Sequence, residues 1–176
     1  MDPSILASVL DGILRAGLAS RYAIGGAVAA IHYMEPFLTY DVDVFLDLPE
    51  SPAGLVDLGP LYAHLQARGY RPQGETVMID GIPVQFLPVH EDLLREAVRE
   101  AREVGGGDKG EGQAPGLRIM RAEHLLAVML RTGRPQDRVR FQKMLTEATP
   151  DRALLKGILE RHGLRDTYLD WGGPPL

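Results

Sequence analysis

Two closely spaced groups of residues near the start of the chain could carry out chemistry on a phosphate. The first is Gly25 and Gly26, which follow the short apolar run Tyr22–Ile24 and precede an alanine-rich run at residues 27–34. A glycine pair between a strand and a helix lets the backbone approach a bulky anion. The helix N-terminus then offers free N–H groups and a partial positive charge. This pair predicts a phosphate-binding turn, although a plain helix-packing turn would have the same residues.

The second group is the carboxylate pair Asp41 and Asp43. Residues 41–48 alternate between polar or aromatic side chains and Val or Leu, which is typical of a half-buried strand. Residues two apart on a strand point to the same face, so the two carboxylates converge. Convergent carboxylates are the oxygen ligands that Mg²⁺ or Mn²⁺ prefers. The pair predicts a divalent-cation site beside the glycine turn, with a solvated strand face as the alternative.

Hydrophobic periodicity predicts the elements that position these residues. Helices are expected at 3–18, 27–34, 55–68, 90–103, 121–131, 134–145, 151–163 and 164–171, with Asp2 capping the first. Strands are expected at 22–24, 41–48 and 117–120, with a hairpin at 76–87 around Asp80-Gly81. The glycine-rich segment 105–116 is predicted to be a flexible loop.

These elements predict an α+β (mixed α/β) fold, with a small mixed sheet flanked by helices. Residues 1–116 are expected to form the core and residues 117–176 a C-terminal helical extension packed on it, with one continuous domain as the alternative. Acidic side chains are concentrated before residue 117 and basic ones after it. Such a distribution suits a phosphate-bearing ligand between the two parts, or simply solvated faces of the C-terminal helices.

Composition excludes several classes of function. The chain has no cysteine, which rules out disulfides and cysteine-ligated zinc or iron–sulfur sites. No signal-peptide pattern and no apolar run of membrane length are visible, so we expect a cytoplasmic protein without a membrane partner. No basic tract with interleaved aromatic residues is present, which argues against a dedicated single-stranded nucleic-acid surface.

At the two groups the chain resembles the nucleotidyltransferase superfamily, with its DNA polymerase β-like fold, and in particular the small bacterial toxin-type nucleotidyltransferases. Their pattern is a glycine pair opening a helix that carries a His, then Thr-x-Asp-x-Asp on the next strand. Its residues here are Gly25, Gly26, His32, Thr39, Asp41 and Asp43. The resemblance implies that the glycines and Thr39 contact a nucleotide, while Asp41 and Asp43 are catalytic and hold the metal. His32 is expected to be a packed core residue without a catalytic role.

The run at residues 123–138 resembles the helix–turn–helix that follows the catalytic core in these proteins. Arg134 and Asp137 match its pattern. They either form a structural ion pair, or Arg134 reaches a nucleotide phosphate.

Three positions depart from the family pattern. Met129 stands in place of a Lys, Phe37 in place of an Arg, and Gln85 in place of the third carboxylate. A glutamine amide can offer an oxygen to a metal, but it carries no charge and cannot act as a base. Asp47 shares the face of Asp41 and Asp43 but lies roughly 13 Å along the strand from Asp43. Glu75 or Asp80 would have to reach the pair from the hairpin, where Asp80 is better explained as the turn residue.

The resemblance therefore implies Mg²⁺- or Mn²⁺-dependent transfer of a nucleoside monophosphate from a nucleoside triphosphate to an unknown acceptor. The acceptor could be a small molecule, an RNA or a protein. The three departures favour a second hypothesis, a catalytically impaired module that binds a nucleotide or a protein partner. Membership of a toxin–antitoxin or defence pair is a third hypothesis, which rests on the resemblance alone.

Overall fold

The structure, a computed structural model, describes residues 2–49, 56–105 and 116–176. Helices and short strands are mixed over the first two thirds of the chain, and the last part is helical. They are α1 (Pro3–Arg15), β1 (Arg21–Ile24), α2 (Gly26–Ile31), β2 (Val42–Asp47), α3 (Gly59–Ala67), β3 (Pro72–Gln73), β4 (Thr76–Ile79), β5 (Ile82–Pro88), α4 (Asp92–Arg99), β6 (Arg102–Val104), β7 (Leu117–Ile119), α5 (Ala122–Thr132), α6 (Pro135–Glu147), α7 (Arg152–Arg161) and α8 (Arg165–Asp170). The predicted α+β class is confirmed.

A seven-stranded mixed sheet forms the centre, with the order β3-β4-β5-β2-β1-β7-β6. Strand β2 runs antiparallel to β1 and parallel to β5, while β7 runs parallel to β1. The register pairs Asp43 with Gln85 and Gln85 with Thr76, so these three positions cross the sheet in one row. This row places the predicted third-carboxylate position directly beside the carboxylate pair.

The alternation predicted for the strand at 41–48 is confirmed. Val42, Val44 and Leu46 are fully buried in the core, whereas Asp43 and the other side chains facing the opposite way are partly exposed. Because side chains alternate along a strand, one buried apolar face leaves the other free to carry polar groups. Strand β2 therefore presents Asp43 on its partly exposed face, while its opposite face packs in the core.

Helices α4, α5 and α7 meet at a buried polar contact centred on Glu96 of α4. Its carboxylate accepts hydrogen bonds from Arg161 and His162, and one oxygen lies 3.4 Å from His124 Nε2. Burial alone would raise the pKa of Glu96, but these hydrogen bonds and the positive charge of Arg161 outweigh it and lower the pKa to about 2. The contact ties helices of the predicted C-terminal extension to the sheet-packed helix α4.

Several local signals predicted the observed structure. Asp2 caps α1 by accepting a hydrogen bond from the Ser4 N–H at 2.9 Å. The β4–β5 turn has Asp80 and Gly81 at φ +50° and +77°, the left-handed conformation that a tight primed hairpin turn requires. The strand predicted at 117–120 is present as β7.

Other expectations were wrong. The helix expected at 90–103 ends at Arg99, and Arg102–Val104 instead forms β6, which pairs with β7. Three residues carry too little periodicity to indicate a strand, so this one depends on the edge that β7 offers. Helix α2 ends at Ile31, earlier than residue 34, and His32 is exposed at its end rather than packed in the core.

The predicted division after residue 116 stays a prediction, and the sheet itself includes β7 from beyond it. The loop predicted at 105–116 lies, apart from its two ends, outside the described residues. Within the ranges that the structure describes, no helix combines the length and apolarity needed to cross a membrane.

Candidate active site

A cleft of about 420 Å³ lies between the sheet face of β2 and β5, the loop before β2, and helices α5 and α6. Most of the residues singled out from the sequence line it. They are Gly26, Thr39, Asp41, Asp43, Gln85 and Arg134. Gly25 is buried next to Gly26 at the turn from β1 into α2. The fold thus brings side chains from distant parts of the chain to one site.

The glycine pair has a structural reason beyond phosphate binding. A Cβ atom on Gly25 would lie 2.5 Å from a ring carbon of Phe45. Gly26 has φ +55°, and a Cβ there would lie 2.9 Å from the Asp43 carboxylate carbon and closer still to its Oδ2. The Gly25 N–H also donates a 2.9 Å hydrogen bond to the Asp43 carbonyl. Both glycines therefore let β2 and its Asp43 side chain approach the turn.

The surroundings of Asp43 disfavour its ionised form. Burial and, next, the negative charge of Asp41 raise the pKa of Asp43, while Arg134 and Arg140 act against that rise. Two carboxylates of like charge that line the same cleft suit a bound divalent cation. The oxygen donors present fit Mg²⁺ or Mn²⁺: the two carboxylates, with the Gln85 side chain on the neighbouring strand.

No third carboxylate joins the pair in the row across β2 and β5. Asp47 accepts a 2.7 Å hydrogen bond from Ser20 Oγ and lies 3.6 Å from Arg95, so it is engaged at the far end of β2. Over the described parts of the chain, no group of three or more His, Cys, Asp or Glu side chains is placed to hold a metal ion.

Of the two hairpin carboxylates, Glu75 contacts Gln85 and Asp80 does not. Asp80 occupies the β4–β5 turn and accepts a 2.9 Å hydrogen bond from the Asp2 N–H. Glu75, in contrast, accepts a 3.4 Å hydrogen bond from the Gln85 side-chain amide. This contact engages the donor end of Gln85 and leaves its carbonyl oxygen for another partner.

Helix α6 supplies the cationic wall of the cleft. Arg134 is the residue immediately before the helix, and Arg140 lies within it. The alternative of an ion pair between Arg134 and Asp137 is wrong. The buried Asp137 carboxylate instead accepts a 2.7 Å hydrogen bond from Thr132 Oγ1 and lies 3.8 Å from the Arg140 guanidinium. A nucleotide contact of Arg134 stays a prediction.

Sequence reasoning missed several residues that line the cleft, among them Arg140, Leu38 and Tyr40. Arg140 follows Asp137 by three positions, so the helical spacing of the predicted helix could have placed it on the same face. Leu38 and Tyr40 are 73% and 76% exposed at the cleft. Large apolar side chains left open at a cleft suit a ligand with a flat or apolar part. No periodic signal marks these two in the sequence.

Comparison with known proteins adds evidence on the fold. The sequence matches no protein-family profile and no curated protein. Solved structures do match, among them a nucleotidyltransferase and a protein described as nucleotidyltransferase-like. The chain therefore has the nucleotidyltransferase fold, which confirms the predicted resemblance at the level of the fold.

Two of these structures show the extent of the likeness. One is the crystal structure of ANT(2″)-Ia in complex with adenylyl-2″-tobramycin. It has a TM-score of 0.52 and 15% identity, and the match covers 96% of this chain and 99% of that one. The other is an antigenic nucleotidyltransferase-like protein from Paracoccidioides brasiliensis, with a TM-score of 0.50 and 16% identity, covering 82% of this chain and 73% of that one.

Proposed function

We propose that the protein transfers a nucleoside monophosphate from a nucleoside triphosphate to an acceptor hydroxyl, using Mg²⁺ or Mn²⁺. The observation that supports this most is the single cleft that gathers Asp41, Asp43, Thr39 and Arg134 within the nucleotidyltransferase fold. Carboxylates on one wall and guanidinium groups on the other suit a phosphate chain that carries a divalent cation.

In this proposal Asp41 and Asp43 hold the cation, which when bound neutralises charge that develops on the transferred phosphate. Gly25, Gly26, Thr39 and Arg134 orient the nucleotide. The acceptor oxygen forms a bond to the α-phosphorus, the bond from that phosphorus to the β-phosphate oxygen breaks, and pyrophosphate leaves. The hydroxyl proton is released to water. Positioning and charge neutralisation supply most of the rate.

The acceptor is the least constrained part of the proposal. ANT(2″)-Ia was crystallised with adenylyl-2″-tobramycin, an adenylylated aminoglycoside. A small hydroxyl-bearing molecule is therefore the first acceptor class to test here. RNA and protein acceptors are the other two classes, and they would suit a toxin–antitoxin or defence role. The cytoplasm remains the expected location.

The proposal predicts metal-dependent nucleotide binding. In a thermal-shift scan with each common nucleoside triphosphate, we expect Mg²⁺-dependent stabilisation of the wild type. A ligand present at 100 times its Kd adds about 2.7 kcal/mol to the free energy of unfolding. The shift should disappear in the Asp41→Asn/Asp43→Asn double variant. A wild type that no nucleotide stabilises in the presence of metal would contradict the proposal.

A binding module without catalysis is the second candidate, favoured by Gln85 in place of a carboxylate. The variant Gln85→Asp separates the two. An attenuated enzyme should transfer nucleotide about a hundredfold faster, the lower end of what a positioned general base contributes. Without metal the variant should be less stable, because the new carboxylate lies opposite Asp43 and near Glu75. A binding module would show the loss of stability but no gain in transfer.

A further inference from the structure

Arg140 is held in an unusual way at the wall of the cleft. Its guanidinium carbon lies 4.9 Å from the centroid of the Phe37 ring, and one of its nitrogens lies 3.8 Å from the Asp137 carboxylate. The Arg140 side chain is 31% exposed and lines the cleft. The ring and the carboxylate restrain its head group from two elements, the loop before β2 and helix α6.

This restraint leaves the hydrogen-bonding edge of Arg140 available. A guanidinium stacked on an aromatic face keeps its in-plane N–H donors free, and those donors match the oxygens of a phosphate. Among the residues that the structure describes, neither Arg140 nor Arg134 donates a side-chain hydrogen bond to a protein acceptor. Arg134 and Arg140 both act on Asp43, since the positive charge of each opposes the rise in its pKa. Two guanidinium groups therefore line the same cleft as the carboxylate pair, and within the described ranges only the N–H donors of Arg140 beside Asp137 are in an ion pair.

We propose that Arg140, positioned by the ring of Phe37, acts with Arg134 to bind the two phosphates that leave as pyrophosphate. Those phosphates carry most of the nucleotide's charge and lie beyond the transferred α-phosphate, so cations on the wall opposite the carboxylate pair can reach them. This inference rests on the proposed function. It assigns Arg140 to ligand binding and Phe37 to positioning, and it moves the main phosphate contact from the glycine turn to helix α6.

Binding measurements with inorganic pyrophosphate plus Mg²⁺, the four common nucleoside triphosphates and their monophosphates test the assignment. In Arg140→Gln we expect the Kd for pyrophosphate and for the preferred triphosphate to rise about tenfold to a hundredfold, the usual effect of losing a charge-assisted hydrogen bond. The Kd for the monophosphate should not change. Arg140→Lys, which keeps the charge but cannot bind in a planar fork, should show a smaller rise in Kd for pyrophosphate.

Phe37 is tested by two variants of similar size. Phe37→Leu removes the ring and should weaken pyrophosphate binding, whereas Phe37→Tyr keeps a ring and should retain wild-type affinity for pyrophosphate. The matched control is Arg138→Gln, which removes the same charge from the same helix. Arg138 lies over Trp171 and donates to the Asp170 carbonyl at 3.1 Å, outside the residues that line the cleft. Thermal unfolding of each variant without ligand checks that it is folded.

The outcomes separate this inference from the proposed function. A wild type that binds neither pyrophosphate nor any nucleotide overturns both. Wild-type binding that Arg140→Gln leaves intact overturns only the role of Arg140. Equal losses for monophosphate and triphosphate overturn its assignment to the leaving phosphates. Identical affinities in Phe37→Leu and Phe37→Tyr overturn the positioning role of the ring.

Discussion

The variant Asp43→Asn should lose nucleotidyl transfer by about 10³-fold, because binding of the cation is worth several kcal/mol of barrier lowering. The folded protein should nevertheless be at least as stable as the wild type. Burial and the charge of Asp41 disfavour ionised Asp43 in the folded state, as its raised pKa indicates, and a neutral amide removes that cost. Asp41→Asn should lose activity similarly. Transfer assays and thermal unfolding without metal measure the two effects separately.

Asp47→Asn is the matched control for this loss, since it removes the same charge from the same strand. Asp47 contacts Ser20 and Arg95 rather than the cleft. Its replacement should leave transfer intact and cost about 1 kcal/mol or less of stability, the usual size for a partly exposed ion pair. If Asp43→Asn and Asp47→Asn had equal activities, the carboxylate pair would not be the metal site.

Gly26→Ala should slow nucleotidyl transfer by about a hundredfold, because it displaces the Asp43 carboxylate. The new Cβ would occupy the space of the Asp43 carboxylate, so this side chain must move. Misplacement of a catalytic group by about 1 Å can cost a hundredfold in rate. The residue also has φ +55°, and an alanine there costs a further 1–2 kcal/mol or so of stability. Transfer rate, metal affinity and thermal unfolding of the variant check each part.

Gly163→Ala is the control for Gly26→Ala, because it introduces backbone strain without a steric clash. Gly163 has φ +64°, close to that of Gly26, but a Cβ added there would have no atom within 4 Å among the described residues. It lies in the turn between α7 and α8, away from the cleft. Its alanine variant should lose similar stability through strain alone and keep its metal affinity and transfer rate. A Gly26→Ala protein that behaves like Gly163→Ala would show that Asp43 tolerates the added methyl group.

Local patterns predicted much of the candidate site. The glycine turn, the shared face of Asp41 and Asp43 and the hairpin at Asp80-Gly81 each depend on residues close in sequence. The side-chain period of a strand and the φ values that a tight turn needs are properties of a few consecutive residues. The α+β class followed from the same short-range signals, because each element shows its buried face in its own periodicity.

The partners within the cleft were decided only by tertiary structure. An ion pair between Arg134 and Asp137 was one of two alternatives that the sequence left open, yet Arg140 is the cation beside Asp137, because one helical turn separates the two. The contact of Arg140 with Phe37 depends on how α6 packs on the loop before β2. The contact of Glu75 with Gln85 depends on how β4 pairs with β5. Strand order and helix docking bring together residues far apart in the chain, and no local pattern records such distances. The sequence by itself therefore determined which residues could bind a metal and a phosphate, while the packing of α6 against the sheet decided which cations face them.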